Sequence, residues 1–191
     1  MNTPNMLTVA RIILAPVFLL FLVWDSLPHN FLIACIIFAI ASLTDMLDGN
    51  IARKYNLITD FGKFLDPLAD KMLVTAALIG LLSLDICNVW VVMIIITREF
   101  LVTSLRLVAA GGGKVISASV WGKIKTISQI VAIIYVLVAR EVMEAGWFVP
   151  ESYHNLLVIS GDAVLWIAAG ITIISGVHYI WKHADYVNIN K

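Results

Sequence analysis

Six apolar stretches alternate with short polar gaps along the chain, roughly 6–24, 31–45, 71–84, 86–106, 126–139 and 155–181. Pro28, Pro150 and the run Gly111-Gly112-Gly113 punctuate the gaps, as residues that break regular structure do. There is no internal repeat and no low-complexity segment, and no gap has room for a soluble domain. The pattern predicts an all-α chain of six helices forming a single domain over 1–191.

The lengths of the uncharged runs sharpen this picture. A helix that crosses a membrane needs about 20 residues, yet 12–24, 31–44, 72–84, 86–97 and 126–139 each hold only 12 to 14. A full crossing must therefore take in charge at one end. That end is the start of the first helix (Arg11), the finish of the second (Asp45, Asp48) and the start of the third (Asp66, Asp70, Lys71). It is the finish of the fourth (Arg98, Glu99, Arg106) and the start of the fifth (Lys123, Lys125). Antiparallel threading puts all five ends on one side. Lipid does not tolerate such charges facing outward, so they should converge on an interior cavity open to that side.

The same threading gathers Arg11, Arg53, Lys54, Lys63, Lys71, Arg98, Arg106, Lys114, Lys123, Lys125, Lys182 and Lys191 on that side and leaves only Arg140 opposite. The excess of Lys and Arg marks the cytoplasmic side, which predicts that both termini and the cavity face the cytoplasm. Asp25, Asp85, Glu141, Glu144 and Glu151 fall on the other side.

Composition agrees. Residues are 61% hydrophobic, above the roughly 45–50% of soluble domains, and the mean hydropathy is +0.94. Thirteen basic and 13 acidic residues cancel, which removes the argument for a nucleic-acid partner. Cys35 and Cys87 lie in apolar runs and read as small packing residues. The first stretch, with Arg11 and Pro16 and no small-residue cleavage site, does not read as a signal peptide.

The candidate chemistry lies between Asp45 and Asp70. At about 100° per residue, Asp45, Asp48, Gly49, Ala52 and Arg53 cover one helical face, and Gly62, Asp66 and Asp70 form a stripe at i, i+4, i+8 on the next helix. Four such carboxylates repel one another unless cations sit among them. All-oxygen donors suit hard divalent ions, Mg²⁺ or Mn²⁺, and two ions can clamp a phosphoryl displacement. Gly49, Ala52 and Gly62 leave room for a group to approach the backbone, although small residues also serve close helix packing. A nucleotide diphosphate would suit the space, with Arg53 and Lys63 against its phosphates. Pro67 removes a backbone donor and predicts a kink.

These residues form Asp-x2-Asp-Gly-x2-Ala-Arg, eight residues, then Gly-x3-Asp-x3-Asp, and all eight fixed positions are present in DMLDGNIARKYNLITDFGKFLDPLAD. By that string the chain resembles the CDP-alcohol phosphotransferases. The segments PNMLTVARIILAPVF, TREFLVTSLR and WGKIKTISQ are similar to the branch of that family that makes phosphatidylglycerol phosphate in bacteria. The resemblance touches the first five helices. It implies the family's six-helix membrane fold, the bacterial cytoplasmic membrane and a homodimer. It also implies two divalent metal ions on Asp45, Asp48, Asp66 and Asp70, with Asp70 as general base. The donor would be CDP-diacylglycerol, held near Asp48, Gly49, Ala52, Arg53, Gly62 and Lys63, with Asn5 and Thr8 on the substrate side of the first helix. Helix capping competes for Asn5 and Thr8.

The acceptor is read from charge. Arg98 and Arg106 are eight apart, hence near one face, and with Lys123 and Lys125 they predict an anion pocket at the level of the aspartates. Arginine suits the planar fork to a phosphate. Glycerol 3-phosphate fits, inositol phosphate would also satisfy it, and serine would need less charge. Snorkelling toward anionic membrane lipids is the bland alternative for the lysines. Glu99 is expected to orient one of the arginines. His178, Trp181, His183 and Tyr186 read as an interfacial belt, while Lys114 and Asp162 have no assigned role. A divalent-cation transporter is the alternative from another class. Its path would need acidic residues at mid-depth, which the clean runs lack.

Overall fold

A computed structural model describes the backbone of residues 3–55, 60–111, 119–146 and 150–183; within these, the side chains of 3–5, 45–55, 60–67, 70 and 151 lie outside the described part. It is all helical: α1 (Thr3–Leu22), α2 (Asn30–Tyr55), α3 (Asp60–Ser83), α4 (Val89–Gly111), α5 (Val120–Glu144) and α6 (His154–Lys182), with a 3-10 turn at Glu151–Tyr153 before α6. Helices α2 and α3 run past the apolar stretches that predict them, because the charged motif residues continue each helix beyond its hydrophobic part. Pro67 falls within α3, and the kink expected there lies outside the described residues.

The helix ends are set by local chemistry. Asn30 accepts from the Phe31 N–H at 2.8 Å and donates to the Leu22 carbonyl at 3.2 Å, which ties the end of α1 to the start of α2. At the other end of α3, Asp85 adopts φ 55. That left-handed residue turns the chain so that Ile86 and Cys87 both donate back to the Leu81 carbonyl. Asn88 then accepts from the Trp90 N–H at 2.9 Å, and the Ser119 hydroxyl caps α5 through Gly122 N–H at 3.1 Å, satisfying donors that a helix start leaves orphaned.

Contacts between helices fix their directions. Gly80 of α3 lies so close to Leu19 and Leu22 that a Cβ there would meet their methyls at 2.8 and 2.6 Å. The ends of α1 and α3 therefore meet, and so do their starts. Gln129 with Thr172, and Tyr135 with Ser160, set α5 antiparallel to α6. Arg98 with Ser175, and Arg106 with Tyr179, set α4 parallel to α6. The alternating threading read from the charges is the one observed. The start of α3, the finish of α4 and the start of α5 share one end of the bundle.

The core is a seam of Phe18, Leu22, Phe38, Leu78, Leu81, Ile95, Ile133, Leu137 and Leu165, interleaved with Ala34, Ala41, Ala77, Ala132 and Ala169. Alanines at these contacts let the helix backbones approach closely. The outer surface is just as apolar: Phe100, Leu107 and Ile159 are each 65–68% exposed, alongside Ile13, Ile36, Ile127 and Val177. A continuous apolar exterior of this kind is costly in water and belongs against lipid. Among the described residues, α5 and α6 are long and apolar enough to cross a membrane, and Met6–Leu22, Asn30–Thr44 and Lys71–Ser83 form shorter apolar helices.

Candidate active site

At the motif end, α4, α5 and α6 hold a connected set of charges. Arg98 is 9% exposed, and it donates through Nη1 to Glu99 Oε1 at 3.0 Å and through Nη2 to Ser175 Oγ at 2.8 Å. Lys125, also buried, donates to the same Glu99 oxygen. One carboxylate thus neutralises two buried cations from two helices, an arrangement that only close pairing makes tolerable in a low-dielectric interior. Below it, Gln129 donates to Thr172 at 2.9 Å, and Thr172 donates to the Ala168 carbonyl at 2.7 Å.

Arg106 lies two turns beyond Arg98. Its Nε donates to the Tyr179 hydroxyl at 3.2 Å, and its guanidinium carbon stands 5.6 Å from the centre of that ring, within cation–π range. Tyr179 is itself buried, while the rest of the Arg106 side chain is exposed.

Lys71 joins this group to the motif helix. It follows Asp70 directly on α3 and donates to Thr103 Oγ1 of α4. Thr103 in turn donates to the Glu99 carbonyl at 2.7 Å. The residue after the last motif aspartate therefore touches the helix that carries both arginines.

Of the residues expected at the site, Arg98, Lys125 and Glu99 are brought together, while Arg106 lies two turns further along α4 against Tyr179. Glu99 orients a lysine as well as an arginine. Lys123 is exposed, and its side chain has no hydrogen-bond or ion-pair partner among the described residues. Thr8 is buried on α1, one turn before the fully enclosed Arg11, at the same end of the bundle. Asp45, Asp48, Gly49, Ala52 and Arg53 belong to α2, and Gly62, Lys63, Asp66 and Asp70 to α3. Their side chains, and that of Asn5, lie outside the described residues, as do Lys114 and Tyr186.

The donor set suits a divalent ion in its chemistry: the carboxylates of Asp45 and Asp48 on α2 and of Asp66 and Asp70 on α3 are hard oxygen ligands. One turn before Asp45, the buried Ser42 hydroxyl has no hydrogen-bond partner among the described residues, a sign that this end of α2 is built for more polar company than the described chain supplies.

Ser175, Tyr179 and Thr172 escape a reading of charge alone. Their signal was a polar stripe at i, i+3, i+7 on the otherwise apolar α6. At the far end, Asp162 lines a cavity of about 480 Å³ with Asp85, Cys87 and Arg140. Burial, and then the Asp162 charge, push the Cys87 thiol up to about 11, and both cysteines are free, in keeping with packing roles.

A family model described as CDP-alcohol phosphatidyltransferase matches residues 1–174. A CDP-diacylglycerol–glycerol-3-phosphate 3-phosphatidyltransferase of Bacillus subtilis is 45% identical over 95% of each chain. The protein of the same description from Rickettsia felis is 40% identical over 93% of each chain. A probable phosphatidylglycerophosphate synthase of Mycobacterium tuberculosis is 43% identical over 94% of this chain and 80% of its own.

Proposed function

The chain belongs to the CDP-alcohol phosphatidyltransferase family, and from that membership we propose that it transfers the phosphatidyl group of CDP-diacylglycerol to glycerol 3-phosphate, giving phosphatidylglycerol phosphate and CMP. The observation that carries the reading is the contact of Lys71 with Thr103. It joins α3, one residue after Asp70, to the helix that carries the buried Arg98 and the exposed Arg106, cations that suit a phosphorylated acceptor. The names of the relatives point to the same pair of substrates.

In this reading the chain is one membrane domain over 1–191 with six spans, both termini in the cytoplasm and the site open to it, in the bacterial cytoplasmic membrane. The crowding of basic residues at the motif end supports that orientation. It works as a homodimer, as the family resemblance implies. Asp45, Asp48, Asp66 and Asp70 would hold two divalent ions, Mg²⁺ or Mn²⁺, whose chemistry is to neutralise the pyrophosphate and the charge that develops on the leaving CMP.

The rest falls to the chain's own side chains. Arg53 and Lys63 lie against the donor phosphates, with Asp48, Gly49, Ala52 and Gly62 giving the nucleotide close access to the backbone, and Asn5 and Thr8 flanking its entrance. Arg98, Arg106, Lys123 and Lys125 bind the acceptor phosphate. Asp70 takes the proton from the acceptor hydroxyl as its oxygen bonds to the diacylglycerol-bearing phosphorus and the bond to CMP breaks. Cations near a carboxylate keep it ionised but weaken it as a base, so positioning supplies much of the rate.

The test is CMP release by purified protein in detergent with Mg²⁺ or Mn²⁺ and CDP-diacylglycerol, offering glycerol 3-phosphate, serine, inositol phosphate and phosphatidylglycerol separately. Release with glycerol 3-phosphate alone, lost on chelation, is the expected result. Release with another acceptor instead overturns the acceptor, and no release from folded protein overturns the enzyme.

A further inference from the structure

Resting on that acceptor pocket, we infer that Ser175, Gly176 and Tyr179 of α6 are positioning residues that aim the Arg98 and Arg106 guanidiniums at the acceptor's phosphate. The argument begins with Arg98. A guanidinium is planar and rigid, so fixing its two terminal nitrogens fixes the whole fork. Glu99 holds Nη1 and Ser175 holds Nη2, at 3.0 and 2.8 Å. The Nε–H is buried and has no hydrogen-bond partner, an unmet donor that costs stability unless an anion arrives to accept from it. The Nε–H is therefore the donor the fork has left to give, and a phosphate oxygen is an acceptor suited to it.

Gly176 makes this placement possible. It is buried against the stem of Arg98, where a Cβ would stand 3.0 Å from Arg98 Cγ, so a side chain there pushes the arginine stem outward by a few tenths of an ångström. One turn on, Tyr179 occupies Arg106 Nε and lies under its guanidinium. The terminal nitrogens of Arg106 are left at the exposed side of the pocket. Helix α4 supplies the two cations and α6 sets their spacing and tilt.

The test compares Ser175→Ala, Gly176→Ala and Tyr179→Phe with wild type in detergent with Mg²⁺, reading KM for glycerol 3-phosphate, KM for CDP-diacylglycerol, kcat and thermal unfolding. The expected result is an acceptor KM raised about five- to tenfold in each variant, with the CDP-diacylglycerol KM within about twofold of wild type. Tyr179→Phe keeps the ring and its packing, so its effect isolates the hydroxyl. An unchanged acceptor KM in folded variants overturns the inference. So does a parallel rise in both KM values with a lowered unfolding temperature, the mark of a merely structural role. Wild-type protein that ignores every phosphorylated acceptor overturns instead the pocket reading beneath it.

Discussion

Lys125 of α5 and Arg98 of α4 share a single carboxylate oxygen, Oε1 of Glu99. Both cations are buried, and Glu99 is only 18% exposed in its side chain. Removing its charge leaves two positive groups adjacent and unneutralised. Breaking a buried pair from one side costs about 3 kcal/mol or more, and here the repulsion between the partners adds to the loss. Glu99→Gln should lower the unfolding temperature in detergent by several degrees and raise the acceptor KM more than the donor KM. A variant as stable as wild type would show that the two cations need no counter-ion.

Asp70→Asn keeps the shape of the side chain and removes its capacity to take a proton. Turnover should fall by at least about 100-fold, the usual scale of a general base, while binding of CDP-diacylglycerol stays measurable. Asp45→Asn and Asp66→Asn should instead raise the Mg²⁺ or Mn²⁺ concentration needed for half-maximal activity. Chelation should abolish wild-type turnover and re-addition of either ion should restore it. Substantial residual activity in Asp70→Asn would remove that residue as the base.

The chain's threading was legible because charge is expensive in a membrane: each run too short to cross had to end in its polar residues, and the start of α3, the finish of α4 and the start of α5 do share one end. The positions of Arg98, Lys125 and Glu99 followed from the same logic. The helix boundaries were less legible. Hydropathy stops at Asp45, but α2 continues to Tyr55, since a helix persists wherever its backbone bonds are satisfied, whether or not its side chains are apolar. The seats on α6 were hidden for a different reason. Ser175 and Thr172 lie in an apolar helix where small hydroxyl residues commonly serve packing, and only the positions of α4 and α5 reveal what they hold. Asp162 was equally mute until it was found lining one cavity with Asp85–Asn88.

Gly80 fixes how closely α1 and α3 approach, and those helices place Arg11 and Lys71 at the motif end. A Cβ at Gly80 would sit 2.6 Å from Leu22 Cδ2, and Leu22 is fully buried, so it has no free space to retreat into. Alanine gains about 1 kcal/mol of helix propensity, but overpacking costs about 1–3 kcal/mol. Gly80→Ala should therefore be modestly destabilised and Gly80→Val clearly so, by about 2–3 kcal/mol. An unfolding temperature for Gly80→Ala above wild type would show that the leucines move aside at no cost.

At the opposite end of the bundle, Glu141 clamps α5 to the start of α2. Its side chain is 3% exposed; Oε1 lies 2.6 Å from His29 Nδ1 and Oε2 accepts from the Leu32 N–H at 3.1 Å. That N–H belongs to the first turn of α2, where the helix itself offers no acceptor, and His29 is held at φ 60, a conformation non-glycine residues adopt only under such support. Glu141→Ala orphans the Leu32 donor and frees His29, a loss of about 2 kcal/mol. His29→Ala, which spares the helix donor, should cost less, and the double variant little more than Glu141→Ala alone, because both act through one carboxylate. Since the clamp lies at the opposite end of the bundle from Arg98 and Lys125, the KM for neither substrate should change in any of the three while unfolding temperature falls. A selective rise in acceptor KM in Glu141→Ala would instead mean that the two ends of the bundle are coupled through α5, from Glu141 to Lys125.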